Sequence, residues 1–340
     1  MEEKTCPPFQ LGNPVPPELF INRKKELESI DWAISANRHV LIYGPRRIGK
    51  TSTLSKIKQI HENQYFIIHI RYFIESHNHL SELFKHIVSD ICRAVLEKIF
   101  ALRIPSINTI KLKDLKQDLS GDLGLMVNLY QALKTNRSIT LNNASKIGVK
   151  ALASAEKEEK TSVKFDNLIF DFEDMQSILI DILEIIHKHG YQKILLFIDD
   201  INGNLNFLLS KEGSQLLQFL SESGLLMILT AWDHTVKNNY QMPVSFLETL
   251  SFSGFSRIDT VNDLIELYTT PPVYNGKQVA FTNDMIELIW NITLGHPQFI
   301  QELAFRCYRM VHRNHSANIT KEMIYENALD LIRRNASVYL

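Results

Sequence analysis

Residues 39–52 read HVLIYGPRRIGKTS: an apolar run, a loop bounded by glycines, and the first turn of a polar helix. Within it Gly44-Pro45-Arg46-Arg47-Ile48-Gly49-Lys50-Thr51 fits the pattern G-x-x-x-x-G-K-[ST]. That spacing has a physical purpose. A loop that wraps a polyphosphate offers its backbone N–H groups, and glycine lets the chain approach closely. Lys50 supplies a cation for the β- and γ-phosphates, and Thr51 a hydroxyl for Mg²⁺. The helix starting at Lys50 aims the positive end of its dipole at the same anion.

Such a loop needs a carboxylate at the end of a nearby strand to hold the Mg²⁺ shell. The segment ILLFIDD, residues 194–200, supplies one. Asp199 is the candidate metal residue, and Asp200 the candidate to orient or deprotonate an attacking water. Thr230 follows the apolar run Leu225–Leu229 and is read two ways, as a contact to the γ-phosphate or water, or as an ordinary strand-end threonine.

Strands are expected at His39–Tyr43, Tyr65–Ile70, Lys193–Ile198 and Leu225–Leu229. Helices are expected at 24–37, Lys50–His61, 80–100, Phe172–His189 and 211–222, with Asp171 as the N-cap of the fourth and Gly190 as its C-terminal stop. Strands alternating with helices of this length predict an α/β fold, a parallel sheet flanked by helices. Residues 104–165, rich in lysine, asparagine and serine with the charge run AEKEEK at 155–160, read as a partly helical insertion. Beyond Pro271-Pro272 and a hairpin candidate at Asn275-Gly276 come helical stretches near 282–293, 297–313 and 320–335. Thr282 and Thr320 are N-cap candidates. The expected division is a core over 1–270 and a small all-α lid over 271–340.

Composition constrains function mainly by exclusion. Among 340 residues, 37 lysines and arginines face 38 acidic residues, so no global basic character announces nucleic acid or a membrane surface. Cys6, Cys92 and Cys307 form no zinc pair or disulfide framework and fit a reducing cytoplasm. No uninterrupted apolar stretch approaches ~18 residues, so no membrane span is expected.

Four segments in order resemble the STAND branch of the AAA+ P-loop ATPases, in particular its bacterial and archaeal members. These are FINRKKEL at 20–27, HVLIYGPRRIGKTS at 39–52, LLFIDD at 195–200, and LGHPQFIQELAFR at 294–306 with its G-x-P motif. The resemblance implies a Mg-dependent ATPase. Arg23 would line the adenine side, residues Gly44 through Ser52 would hold the phosphates, and Gly295, His296 and Pro297 would approach base and sugar from the lid. Asn22 stands where the family has glycine, and asparagine also tolerates positive φ. Asp200 stands where AAA+ proteins commonly have glutamate, one methylene longer, which implies slow turnover. Gln298 lies near the sensor arginine's usual place, with Arg306 and Arg309 further on; Arg46, Arg47 and Arg257 are the arginine-finger candidates.

The expected function is an ATP-controlled switch in signalling or defence, acting through homo-oligomerisation or a separate effector. The alternatives are a DNA-handling ATPase of replication-initiator or transposition-regulator type, and a nucleotide-binding scaffold that does not hydrolyse. The family's usual next domain, a winged helix, would begin about where this chain reaches Leu340, which fits a minimal version, a separate effector chain or a fragment. No guanine-reading [NT]-K-x-D motif occurs, so ATP is the expected nucleotide.

Overall fold

Alternation along the strands sorts the side chains into two layers. On β1 (His39–Gly44), Leu41 packs with Leu196 and Met227, while Val40 and Ile42 pack with Phe197 and Ile228 on the opposite face. A sheet buried on both faces needs strands apolar at nearly every position. The run ILLFI of β3 (Ile194–Ile198) is buried at all five. The structure is a computed structural model describing residues 12–70, 80–101, 121–135, 172–232, 236, 246–256, 281–313 and 319–339.

After a 3₁₀ turn at Pro17–Leu19 come α1 (Lys24–Ser35), β1, α2 (Lys50–His61), β2 (Phe66–Ile70) and α3 (Leu80–Lys98). Then follow α4 (Asp122–Thr135), α5 (Phe172–Lys188), β3, a short α6 (Leu205–Leu208), α7 (Lys211–Glu222), β4 (Leu225–Trp232) and β5 (Leu247–Ser251). The strands lie in the order β2-β3-β4-β1-β5, every pair parallel. α1 and α2 cover one face through Ile30, Ile34, Leu54 and Ile57. The other face is covered by α3, α4, α5 and α7, as the expected α/β class requires.

The order places β4 between β1 and β3, so the loops leaving β1 and β3 open at one end of the sheet and flank the tip of β4. Open parallel sheets bind ligands beyond the carboxyl ends of their strands, and that is where the two motifs lie.

Two elements depart from the sequence pattern. β5 pairs with β1 at the sheet edge, and only Leu247 of its five residues is buried, so it lacks the apolar run that marks a central strand. α4 falls inside the lysine-rich 104–165 stretch, yet buries Met126, Val127 and Tyr130 against α3. Apart from Gly121, the rest of that stretch, with Cys6, Asp171, Arg257, Pro271-Pro272 and Asn275-Gly276, lies outside the described residues.

The last three helices are α8 (Asn283–Thr293), α9 (Pro297–Arg313) and α10 (Lys321–Tyr339). They form their own apolar cluster around Ile289, Leu303, Cys307, Ile324 and Leu331, against which Ile21 and Phe255 pack. Thr320 accepts a hydrogen bond from the Met323 N–H at 3.3 Å and caps α10, whereas Thr282 makes no side-chain cap bond. Arg306 joins α9 to α10, bonding Glu302 at 2.8 Å and also Asp330. Among the described residues no helix is long and apolar enough to cross a membrane.

Candidate functional site

The loop from Gly44 to Lys50 folds back over the end of β1. Arg47 at φ 59° and Gly49 at φ 103° take left-handed conformations. Such turns direct successive N–H groups into a concavity that suits anions. At Gly49 the positive φ strains any other residue, which gives the second motif glycine its reason. Lys50 is nearly buried, and its ammonium donates to the carbonyls of Gly44 and Pro45, both at 2.8 Å. Arg46 and Arg47 are exposed, while Ile48 is buried and anchors the loop in the core.

A chain of hydrogen bonds links this loop to the tips of β3 and β4. Thr51 Oγ1 donates to Asp199 Oδ2 at 2.7 Å, although β4 lies between the two parent strands. Thr230, fully buried, donates from Oγ1 to Asp199 Oδ1 at 2.5 Å and accepts the Asp200 N–H at 2.9 Å. Thr230 thus supports both aspartates rather than simply ending a strand. Asp200 sits at φ 61°, and its Oδ1 accepts a bond from Asn202 Nδ2. Asn202 Oδ1 in turn accepts the Trp232 N–H at 2.7 Å. The Trp232 ring carries the Arg46 guanidinium 3.8 Å from its centre. Partial burial, then the adjoining Asp199 carboxylate, raises the Asp200 pKa, while Lys50 and Arg46 oppose the rise.

The lid residues approach the loop unevenly. His296 donates its Nε2–H to the Arg46 carbonyl at 3.2 Å and packs its ring against Phe299. Burial is the main cause lowering its pKa. Gly295 packs against the backbone of Phe255. A Cβ there would stand 2.4 Å from the Phe255 carbonyl oxygen, and the Phe255 N–H donates to the Gly295 carbonyl at 2.8 Å. Pro297 opens α9 and lines an apolar cavity between the Pro17–Leu19 turn, the end of the loop and α9.

Arg23 lines that same cavity, but its guanidinium is committed to the protein. It bonds Glu26 at 2.8 Å, the Ser253 carbonyl at 2.5 Å and the Ile48 carbonyl at 3.3 Å, and it lies against the rings of Phe252 and Phe255. Desolvation is the chief influence, lowering its pKa, with Glu26 opposing it. Asn22 does adopt positive φ, at 61°, and its side chain accepts the Arg23 N–H. Ser52 accepts the Val15 N–H at 3.0 Å, so its oxygen ties down the N-terminal segment that roofs the cavity.

The network partners Asn202 and Trp232 carry no sequence signal, because neither residue type at that position marks a motif. The parallel order, the phosphate-loop sequence after β1 and the acidic tip two strands away are those of a P-loop NTPase fold, here with an additional helical subdomain. No protein-family profile matches the chain, and no curated protein matches it. Among solved structures, Cdc6p from Pyrobaculum aerophilum matches with a TM-score of 0.49 and 13% identity, over 92% of this chain and 70% of that one. The Aeropyrum pernix ORC1 protein in complex with DNA matches at 0.47 and 13%, over 94% and 67%. The Walker-type ATPase paby2304 of Pyrococcus abyssi matches at 0.47 and 15%, over 97% and 77%.

Proposed function

We propose that the chain binds ATP with Mg²⁺ and hydrolyses it slowly, using the closure of its helical lid as a conformational output. One observation carries the reading. The 2.7 Å bond from Thr51 Oγ1 to Asp199 Oδ2 joins two motifs distant in sequence and separated by a strand. A hydroxyl and a single carboxylate are hard oxygen donors. They suit Mg²⁺, which takes one or two protein ligands and keeps waters and phosphate oxygens for the rest. Among the described residues no cluster of three or more histidine, cysteine or acidic side chains offers an all-protein cage for another metal.

In this reading Thr51 and Asp199 hold the Mg²⁺, which when bound offsets phosphate charge during transfer. Lys50 exchanges the Gly44 and Pro45 carbonyls for phosphate oxygens. Asp200 orients the attacking water and receives its proton. Arg46 lies on the same rim of the loop. The base occupies the cavity lined by Ile21, Ile48, Phe255 and Pro297, with His296 reporting lid position to the loop.

The test is ATP hydrolysis by the purified chain with Mg²⁺, with a chelator, and with Thr51→Ala. We expect the chelator and the substitution each to lower the rate by at least ~100-fold. A rate indifferent to both overturns the reading.

Two roles compete for the output. The family resemblance supports a STAND-type switch that assembles with itself or an effector when ATP-bound. DNA handling is the second role and the first to test, because one similar structure is an ORC1 protein solved in complex with DNA. Duplex binding that weakens steeply between about 50 and about 200 mM salt supports DNA handling. Assembly on a non-hydrolysable ATP analogue without DNA affinity supports the switch.

A further inference from the structure

Asn202 lies in the short turn after β3, two residues past Asp200, and both ends of its side-chain amide are occupied. The Trp232 backbone N–H can only donate, so the group facing it at 2.7 Å is the amide oxygen. The amide nitrogen therefore faces Asp200 and donates to its Oδ1. Asp200 needs such a hold. Its backbone is left-handed, at φ 61°, and its carboxylate is solvent-exposed at the end of a strand. A flexible carboxylate there samples several rotamers, and each unproductive one dilutes the orientation on which water attack depends. The Asp200 N–H is already fixed to Thr230, so Asn202 supplies the side-chain half of a two-point mounting, both points resting on β4.

We propose that Asn202 is a positioning residue for hydrolysis, holding the Asp200 carboxylate toward the phosphate loop through an amide clamped to the Trp232 backbone. The inference rests on the ATPase reading above and adds to it a residue that no motif marks. It separates two tasks within one side chain. The oxygen ties the turn to β4, and the nitrogen orients the acid. Asn202→Asp keeps an acceptor for Trp232 but removes the donor to Asp200, whereas Asn202→Ala removes both.

The deciding experiment is a double-substitution cycle on steady-state ATP hydrolysis with wild type, Asn202→Ala, Asp200→Ala and the double variant, alongside Asn202→Asp. ADP affinity is measured for each with a fluorescent ADP analogue. We expect Asn202→Ala and Asn202→Asp to lower kcat by roughly tenfold, a part of the ~100-fold or more that a positioned base contributes. KM and ADP affinity stay within about twofold, because the phosphate loop is untouched. The double variant is then no slower than Asp200→Ala alone, since the amide acts only through that carboxylate. Two results overturn the inference while leaving the ATPase reading intact: unchanged kcat in both Asn202 variants, or a double variant slower than Asp200→Ala by the same factor that separates Asn202→Ala from wild type. A wild-type chain that binds ADP but does not hydrolyse ATP overturns hydrolysis, and this inference with it.

Discussion

Two arginines near the same phosphate loop meet opposite surroundings. Arg23 is 3% exposed, with two carbonyls, a carboxylate and two aromatic rings around its guanidinium. Arg46 is exposed and rests on the ring of Trp232. The first region is the seam between the sheet and the helical cluster. Gly254 and Phe255 cross Leu294 and Gly295 there at backbone contact distance. The second is the open tip of the sheet, where Thr51, Asp199, Thr230, Asp200 and Asn202 bond to one another beside solvent. Burial decides the difference. Arg23 is held by carbonyls, a carboxylate and two rings in the framework of the seam, although its Nε meets no acceptor, while a charge at the rim can exchange its partners for a ligand.

The largest expected effect tests the tip. Lys50→Ala should reduce ATP hydrolysis by roughly 1,000-fold, on the order of 4 kcal/mol of transition-state stabilisation. Circular dichroism melting should show a far smaller stability loss than the seam variant gives. If Lys50→Ala unfolds the chain, the tip is framework too and the contrast fails.

The seam should respond in stability. Arg23→Ala leaves Glu26 and two carbonyls without their donor, and urea unfolding should show a loss of about 3 kcal/mol. Arg23→Lys should recover little of it, because an ammonium cannot reproduce the planar fork. A loss below about 0.5 kcal/mol would place Arg23 with the exchangeable charges instead.

His39 extends the buried class to the far end of the sheet. Its Nε2–H donates to the Leu217 carbonyl at 2.6 Å, and its Nδ1 accepts the Met227 N–H at 2.8 Å. The neutral ring is required, and burial lowers its pKa from 6.5 to about 4. The unfolded chain binds this proton more readily, so the stabilising effect is complete above pH 6.5 and fades as pH falls toward 4. Unfolding at pH 5 against pH 7.5 should show about 2 kcal/mol less stability from this group. His39→Gln should flatten that part of the pH profile, and an unaltered profile would remove His39 as its source.

The smallest effect is expected at the surface. Lys188 and Asp122 pair at 3.3 Å between α5 and α4, with both side chains well exposed. Lys188→Ala should change stability by less than about 0.5 kcal/mol, because water and salt screen such pairs. A larger loss would show that exposure alone does not sort this protein's charges.

Much of the fold was legible because its signals are local. β1, α2 and β3 follow from apolar runs and a glycine loop, and the observed bounds of α2 and α7 coincide with the expected ones. What depends on a distant partner escaped. β5 is an edge strand held by β1, and the helix α4 falls in the stretch read as partly helical, but its burial against α3 carried no signal there. The motif around Gly295 says nothing of Phe255, whose backbone a Cβ at that glycine would meet.

The sequence by itself determined the phosphate loop, the acidic strand end and the alternation of strands and helices. Each depends on residues within a few positions of one another, where spacing dictates geometry. Only the tertiary structure decided which polar groups face each other. It bonded Thr51 to Asp199 across an intervening strand, closed the seam around Arg23, and clamped Asn202 between Asp200 and Trp232. Those pairings depend on strand order and backbone crossing, and neither is written in the spacing of residues along the chain.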